Sequence, residues 1–221
     1  MRKMLIVVEG PDGSGKTILS KLLAKKLSAY WTFEPFGLHL DLPTTENSKI
    51  CNSLRELCLN KTNAPYLSET SRELLMLANR SIHTNYLKDL KTKKIVSDRS
   101  WISGLVYNSV NTPTFNEDIW FDILIKQVKP IPIDILINVT SNKKILKTGN
   151  NDIYDSAGKE FHCKIEQKFK ELDKSINLKQ AKLFNPNLSL IGFENNFNLT
   201  PEENVGALMQ LIQNTQLGKI N

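Results

Sequence analysis

The chain has 221 residues, a net charge of +6, 40% hydrophobic and 24% charged residues. That is ordinary composition for one α/β domain with a sizeable core. It contains no stretch near the ~20 apolar residues that span a bilayer, so no membrane partner is expected.

In chain order, Met1-Arg2-Lys3 and the apolar Met4–Val8 resemble the start of a secretory signal. The run is too short and ends at Glu9, so it predicts a buried strand over Met4–Glu9. An amphipathic helix is expected over Gly15–Ala29, with Leu19, Leu22, Leu23 and Leu27 on one stripe. A second strand is expected at Tyr30–Glu34. A long helix follows at Ser68–Leu90, carrying Leu74, Leu75, Leu77, Ala78, Ile82 and Tyr86. Strands follow at Lys94–Asp98, Ile133–Val139 and Leu188–Phe193, and helices at Lys159–Leu172 and Pro201–Ile212. The last helix opens on Thr200-Pro201-Glu202-Glu203, a cap residue, a first-turn proline and two acids at the positive helix end. Short Ile, Val and Leu runs alternating with helices predict a parallel sheet covered on both faces. A single α/β domain spanning 1–221 is expected, with five strands in the sheet. Ligands of such sheets bind at the carboxyl ends of the strands.

Thr148–Gly158 is polar and glycine-flanked. Coming just after the fourth strand, it is expected to belong to a lid over about 142–158, rather than to a plain surface loop. Cys51, Cys58 and Cys163 lack metal-ligand spacing and cannot all pair, which fits free thiols in a reducing cytoplasm. The lysines are spread along the chain without an aromatic-basic ribbon, so no nucleic-acid partner is expected.

Gly10-Pro11-Asp12-Gly13-Ser14-Gly15-Lys16-Thr17 matches the phosphate-binding pattern G-x-x-x-x-G-K-[ST], with a strand before it and a helix after it. Its glycines allow a tight bend that points backbone N–H groups at phosphate oxygens. Lys16 is expected on the β- and γ-phosphates of a nucleoside triphosphate and the Thr17 hydroxyl on Mg²⁺. Asn142-Lys143-Lys144-Ile145 begins like a guanine reader, but lacks the Asp and is expected in a helix. The third strand ends in Asp98-Arg99. The Asp is placed to hold the Mg²⁺ shell, and the Arg to clamp a second phosphate with its bidentate fork.

Five segments in order resemble the thymidylate kinase family of P-loop nucleoside monophosphate kinases. They are Val8–Thr17, Thr32-Phe33-Glu34-Pro35, Leu74–Arg80, Asp98–Gly104 and Asp155–His162. The P-loop is generic; the ordered set is specific. The resemblance implies a three-layer P-loop NTPase fold with the strands in the order 2-3-1-4-5, and ATP-dependent conversion of dTMP to dTDP, with ATP and Mg²⁺, and a homodimer. It implies that Asp12 binds the sugar 3′-hydroxyl, that Glu34 and Pro35 shape the acceptor pocket, and that Arg80 meets the thymine edge. Arg99 would hold the acceptor phosphate, Asp98 the metal's water shell, and Ser103, Gly104, Tyr107 and Asn108 the base and sugar. For the dimer, Leu54, Leu57, Leu74 and Val106 could serve equally as interface or as core.

The chain departs from the family at several positions. Met76 stands where an aromatic ring stacks on the base, Phe33 where an Arg precedes Glu-Pro, and Ser100 where a Tyr follows Asp-Arg. No Arg occurs after Arg99, so lid arginines must be replaced by lysines such as Lys143, Lys144, Lys147 or Lys159. Slower catalysis or altered acceptor choice is the expected consequence. Two alternatives stay open: a kinase for another deoxynucleoside monophosphate or deoxynucleoside, and a catalytically weak nucleotide-binding homologue.

Overall fold

The computed structural model describes residues 2–111, 116–143, 153–154, 157–172 and 176–215. Five strands, β1 (Met4–Glu9), β2 (Tyr30–Phe33), β3 (Lys94–Asp98), β4 (Ile135–Ser141) and β5 (Ser189–Asn195), form one parallel sheet in the order β2-β3-β1-β4-β5. This is the expected order.

Side chains alternate across a strand, so β1 divides its apolar run between the two faces. Leu5 and Val7 join one core with Leu77, Ile95, Leu105, Leu136 and Phe169. These come partly from helices α3 (Glu69–Asp89), α4 (Trp101–Asn111) and α6 (Lys159–Lys170). Ile6 and Val8 join the other core, with Leu19 and Leu23 from α1 (Lys16–Lys26) and Val205 and Leu208 from α8 (Pro201–Gln213). Burial on both faces is why the strands read as continuous apolar runs.

Some boundaries differ from the sequence expectation for local reasons. Helix α1 stops at Lys26 because Ser28 turns into the left-handed region at φ 49°. Strand β4 starts at Ile135, not Ile133. Asp134 donates its N–H to the Leu5 carbonyl and takes the Leu5 N–H on its carboxylate, and the ladder with β1 begins after it. Ser68 accepts the Ser71 N–H and sits just outside α3. Thr200 and Glu203 form a reciprocal capping box on α8, as the composition there predicted. Asn142 and Lys143 lie in a bend after β4 and not in the expected helix; residues 144 and 145 lie outside the described set. Helices α2 (Glu46–Leu59), α4, α5 (Glu117–Ile123) and α7 (Ile176–Phe184) were not anticipated. Among the described residues no helix is long and apolar enough to cross a membrane. The three cysteines are free.

Candidate active site

The carboxyl ends of β1 and β3 lie side by side, with Val8 opposite Asp98 in register. Both chains turn there, and the turns build the site. After β1, Gly10, Gly13 and Gly15 all take positive φ, at 147°, 79° and 81°. A side chain at Gly15 would collide with the Asn195 amide, whose Nδ2 donates to the Ser14 carbonyl at 2.9 Å from the end of β5. The loop then feeds α1, whose first residue is Lys16. Three strand ends thus fix a concave backbone at a helix N-terminus, the arrangement that holds a phosphate chain.

Lys16 is buried, and its Nζ donates to the Pro11 carbonyl at 3.0 Å and to Asp12 Oδ1 at 3.4 Å. Burial and then the neighbouring Arg99 charge push it down to about 8, with Asp12, Asp98 and Glu9 opposing. Thr17 Oγ1 donates to Asp98 Oδ2 at 2.5 Å, while Asp98 Oδ1 is buried with no hydrogen-bond partner. A hydroxyl beside a carboxylate oxygen with an unused lone pair is a donor set that fits a hard cation. Among the described residues no cluster of three or more His, Cys, Asp or Glu is placed to hold a metal by itself. A cation here would therefore complete its shell with water or phosphate oxygens.

After β3, Arg99 adopts φ 72°, unusual for a residue other than glycine and a form of strain that clusters at functional sites. Its Nη2 lies 2.5 Å from Asp12 Oδ1, and its Nη1 donates to the Gly10 carbonyl at 3.1 Å and to Ser103 Oγ at 2.9 Å. Tyr107 donates to Asp12 Oδ2 at 2.7 Å. Burial alone would raise the Asp12 carboxyl, but Arg99 and Lys16 outweigh it and hold the group well below the carboxylate range. Burial is also the largest influence on the Tyr107 phenol and raises it, so the phenol stays a donor.

The opposite wall comes from α3. Arg80 Nε donates to Glu34 Oε2 at 3.1 Å, and its Nη1 is buried without a partner. The guanidinium also lies over the Trp120 ring at 5.5 Å. Gly104 on α4 makes room for it: a Cβ there would stand 2.5 Å from Arg80 Nη2. Burial pushes the Glu34 carboxyl up, with Arg80 opposing.

These walls enclose one cavity of about 640 Å³. It is lined by Asp12, Lys16, Thr17, Glu34, Pro35, Met76, Arg80, Asp98, Arg99, Ser103, Gly104, Tyr107 and Asn108. Of the expected site residues, Gly10, Pro11, Gly13, Ser14 and Gly15 form the adjoining loop rather than the cavity wall. Lys147 lies outside the described residues, as do most positions of the expected lid.

The cavity also holds residues that sequence reading missed. Arg55 and Glu73 reach it from α2 and α3, His39 lies beside Trp31, and Tyr154 packs edge-on against Tyr107 at 5.0 Å. Glu9, under the floor, accepts hydrogen bonds from Ser100 and Ser103. Its position directly before the P-loop was a visible signal; for the others no spacing stood out.

A family model described as thymidylate kinase matches residues 8–184. The chain belongs to the thymidylate kinase family. A probable thymidylate kinase of Methanocaldococcus jannaschii is 35% identical over 176 residues, 79% of this chain and 84% of that one. The thymidylate kinase of Helicobacter pylori is 33% identical over 172 residues, 76% and 80% of the two chains. Among solved structures, thymidylate kinase of Candida albicans aligns with a TM-score of 0.65 at 21% identity, over 96% of this chain and 92% of that. A deoxyadenosine kinase of M. mycoides aligns at 0.58 and 20% identity, over 95% and 99%. At those identities the likeness concerns the fold. The family's departures take concrete form here. Met76 is buried against Cys58 and Leu59 in a small apolar cluster, and Ser100 Oγ donates to Glu9 at 2.8 Å.

Proposed function

We propose that this chain transfers the terminal phosphoryl group of ATP to dTMP, forming ADP and dTDP. The observation that carries the reading is one cavity shared by two sets of groups. Lys16, Thr17 and Asp98 line it together with Met76, Arg80 and Asn108, and Lys16, Arg99 and Tyr107 all bond to Asp12 in its wall. That lining suits a triphosphate on the loop and a monophosphate nucleotide facing it.

Two polyanions must meet in line, so the work is positioning and charge neutralisation. Lys16 is placed for the β- and γ-phosphates and the Arg99 fork for the acceptor phosphate. Asp12 accepts from a sugar hydroxyl. The unpartnered Arg80 Nη1 donates to a carbonyl on the base edge, and Met76 packs on the base face. Thr17 and Asp98 would hold Mg²⁺, which would supply positive charge to the phosphate oxygens.

The reading includes a single domain, a cytoplasmic setting and a homodimer. Leu57 and Leu74 are 43% and 57% exposed and available to an interface, whereas Val106 is core.

An acceptor screen tests the proposal: ATP with each nucleoside and nucleoside monophosphate, product measured by chromatography. Preferred turnover of dTMP is expected. Faster turnover of another monophosphate or of a nucleoside rejects the acceptor, and calorimetric binding without turnover rejects the kinase.

A further inference from the structure

Glu9 is the last residue of β1, directly before the loop, and is fully buried without lining the cavity. Its Oε1 accepts from the Ser100 N–H and the Ser100 hydroxyl, both at 2.8 Å, and from the Ser103 N–H at 3.2 Å. Its Oε2 accepts the Ser103 hydroxyl at 2.5 Å. A carboxylate from a neighbouring strand thus caps the N-terminus of α4, where free N–H groups and the helix dipole favour a negative charge. Ser100 Oγ is occupied in the same cluster, donating to Glu9 while accepting the Ile102 N–H at 3.2 Å.

The consequence reaches the site through Ser103. Its hydroxyl has one proton, and Glu9 takes it. The lone pairs that remain face Arg99 Nη1, 2.9 Å away. Arg99 follows β3 directly, with its N–H bound to the Val8 carbonyl at 2.9 Å. Its backbone is therefore pinned between β1 and the start of α4 in a strained conformation, and its guanidinium is aimed by a hydroxyl whose direction Glu9 sets.

We propose that Glu9 is a positioning residue for acceptor phosphate binding, acting through Ser103 on Arg99. The proposal rests on the kinase reading above for the identity of that phosphate. Glu9→Gln keeps the size but replaces one acceptor oxygen by a donor, so one of the four donors loses its partner and the Ser103 proton loses its fixed direction.

The experiment is steady-state kinetics of the full chain with ATP and dTMP. In E9Q the KM for dTMP should rise about 10-fold or more, the range expected when a buried donor is left unpaired, while the KM for ATP stays within about 2-fold. Ser103→Ala should show the same split, and E9Q/S103A should be no worse than the more severe single variant, because both act on one relay. Where E9Q does not fold, Glu9→Asp serves in its place, since it keeps the charge but withdraws the carboxylate by one methylene, and the same split is expected. Equal rises in both KM values, or effects that add in the double variant, overturn the proposal. Calorimetry with dTMP separates the two readings. A wild type that binds dTMP without turning it over fails the kinase reading; equal dTMP affinity of wild type and E9Q fails this one.

Discussion

Asp12 and Arg99 are each other's partner: Arg99 Nη2 lies 2.5 Å from Asp12 Oδ1, between a P-loop side chain and a strand-end side chain 87 residues apart. Both residues line the cavity, and in the proposed reading the pair lies between the triphosphate and the acceptor. Arg99→Ala removes a bidentate anion donor and leaves Asp12 held by Tyr107 and Lys16. The KM for dTMP should rise about 10- to 100-fold with the KM for ATP little changed. A rise confined to ATP would reverse the assignment of triphosphate and acceptor. Arg99→Lys should recover little, because a point charge cannot reach Gly10, Ser103 and Asp12 together.

Lys16→Ala should abolish transfer while the thermal melting temperature changes little, since the ammonium's contacts are loop atoms and not core. Its depressed value of about 8 gives a pH signature. The charged form is the one that meets phosphate, so kcat/KM for ATP should fall as pH rises through about 8. Saturating ATP should move that fall to higher pH, because bound phosphates favour the ammonium. A profile flat from pH 7 to pH 10 would refute it.

Gly104→Ala separates stability from function. Alanine is favoured over glycine in a helix by up to about 1 kcal/mol, so the melting temperature should hold or rise. The new methyl, 2.5 Å from Arg80 Nη2, should push the guanidinium off the cavity wall and raise the KM for dTMP about 10-fold.

Asp98→Asn should cut kcat by at least about 100-fold, the scale seen when one preorganised electrostatic group is lost. It should also raise the Mg²⁺ concentration needed for half-maximal rate. Thr17→Ala should shift the Mg²⁺ requirement in the same direction. Unchanged Mg²⁺ dependence in both variants would remove these residues from the metal site.

His83 is buried, stacked on Phe36 at 4.3 Å, with Nε2 2.7 Å from Thr32 Oγ1. Burial pushes it down from 6.5 to about 3. The unfolded chain therefore takes up a proton that the folded chain refuses, and the stability present above pH 6.5 is lost as pH falls toward 3. Glu34 Oε1 lies 4.0 Å from Nδ1, but that carboxyl group already accepts from Arg80 Nε. Melting temperature against pH should fall less steeply for His83→Gln than for wild type over that window.

The site was legible where chemistry is local. The P-loop and the Asp98-Arg99 strand end were readable because their spacing encodes backbone geometry, and the site residues of Leu74–Arg80 through the family resemblance. Glu9 was visible only by its place before the P-loop; its role was not, because that depends on Ser100 and Ser103, 91 and 94 residues away. Likewise Tyr154 and Glu73 carry no pattern; only the closeness of α3, α4 and the chain after β4 brings them to one cavity. Helix α4 was missed because it is short and no amphipathic stripe with a solvent face stands out. Its apolar residues Trp101, Ile102, Leu105 and Val106 pack into the core with Ile165 and Phe169 of α6, while Ser103 and Gly104 line the cavity.

By itself the sequence determined the phosphate-binding loop and the strand runs, which rest on short-range steric and hydrophobic rules, and the family, which rests on the resemblance of five ordered segments. Only the tertiary structure decided which charges meet: that Asp12 holds Arg99, that Asp98 keeps one oxygen unpartnered, and that Glu9 governs Ser103. The physical reason is that hydrogen bonds and ion pairs act over about 3 Å, and the sheet sets those distances between residues that the chain keeps far apart.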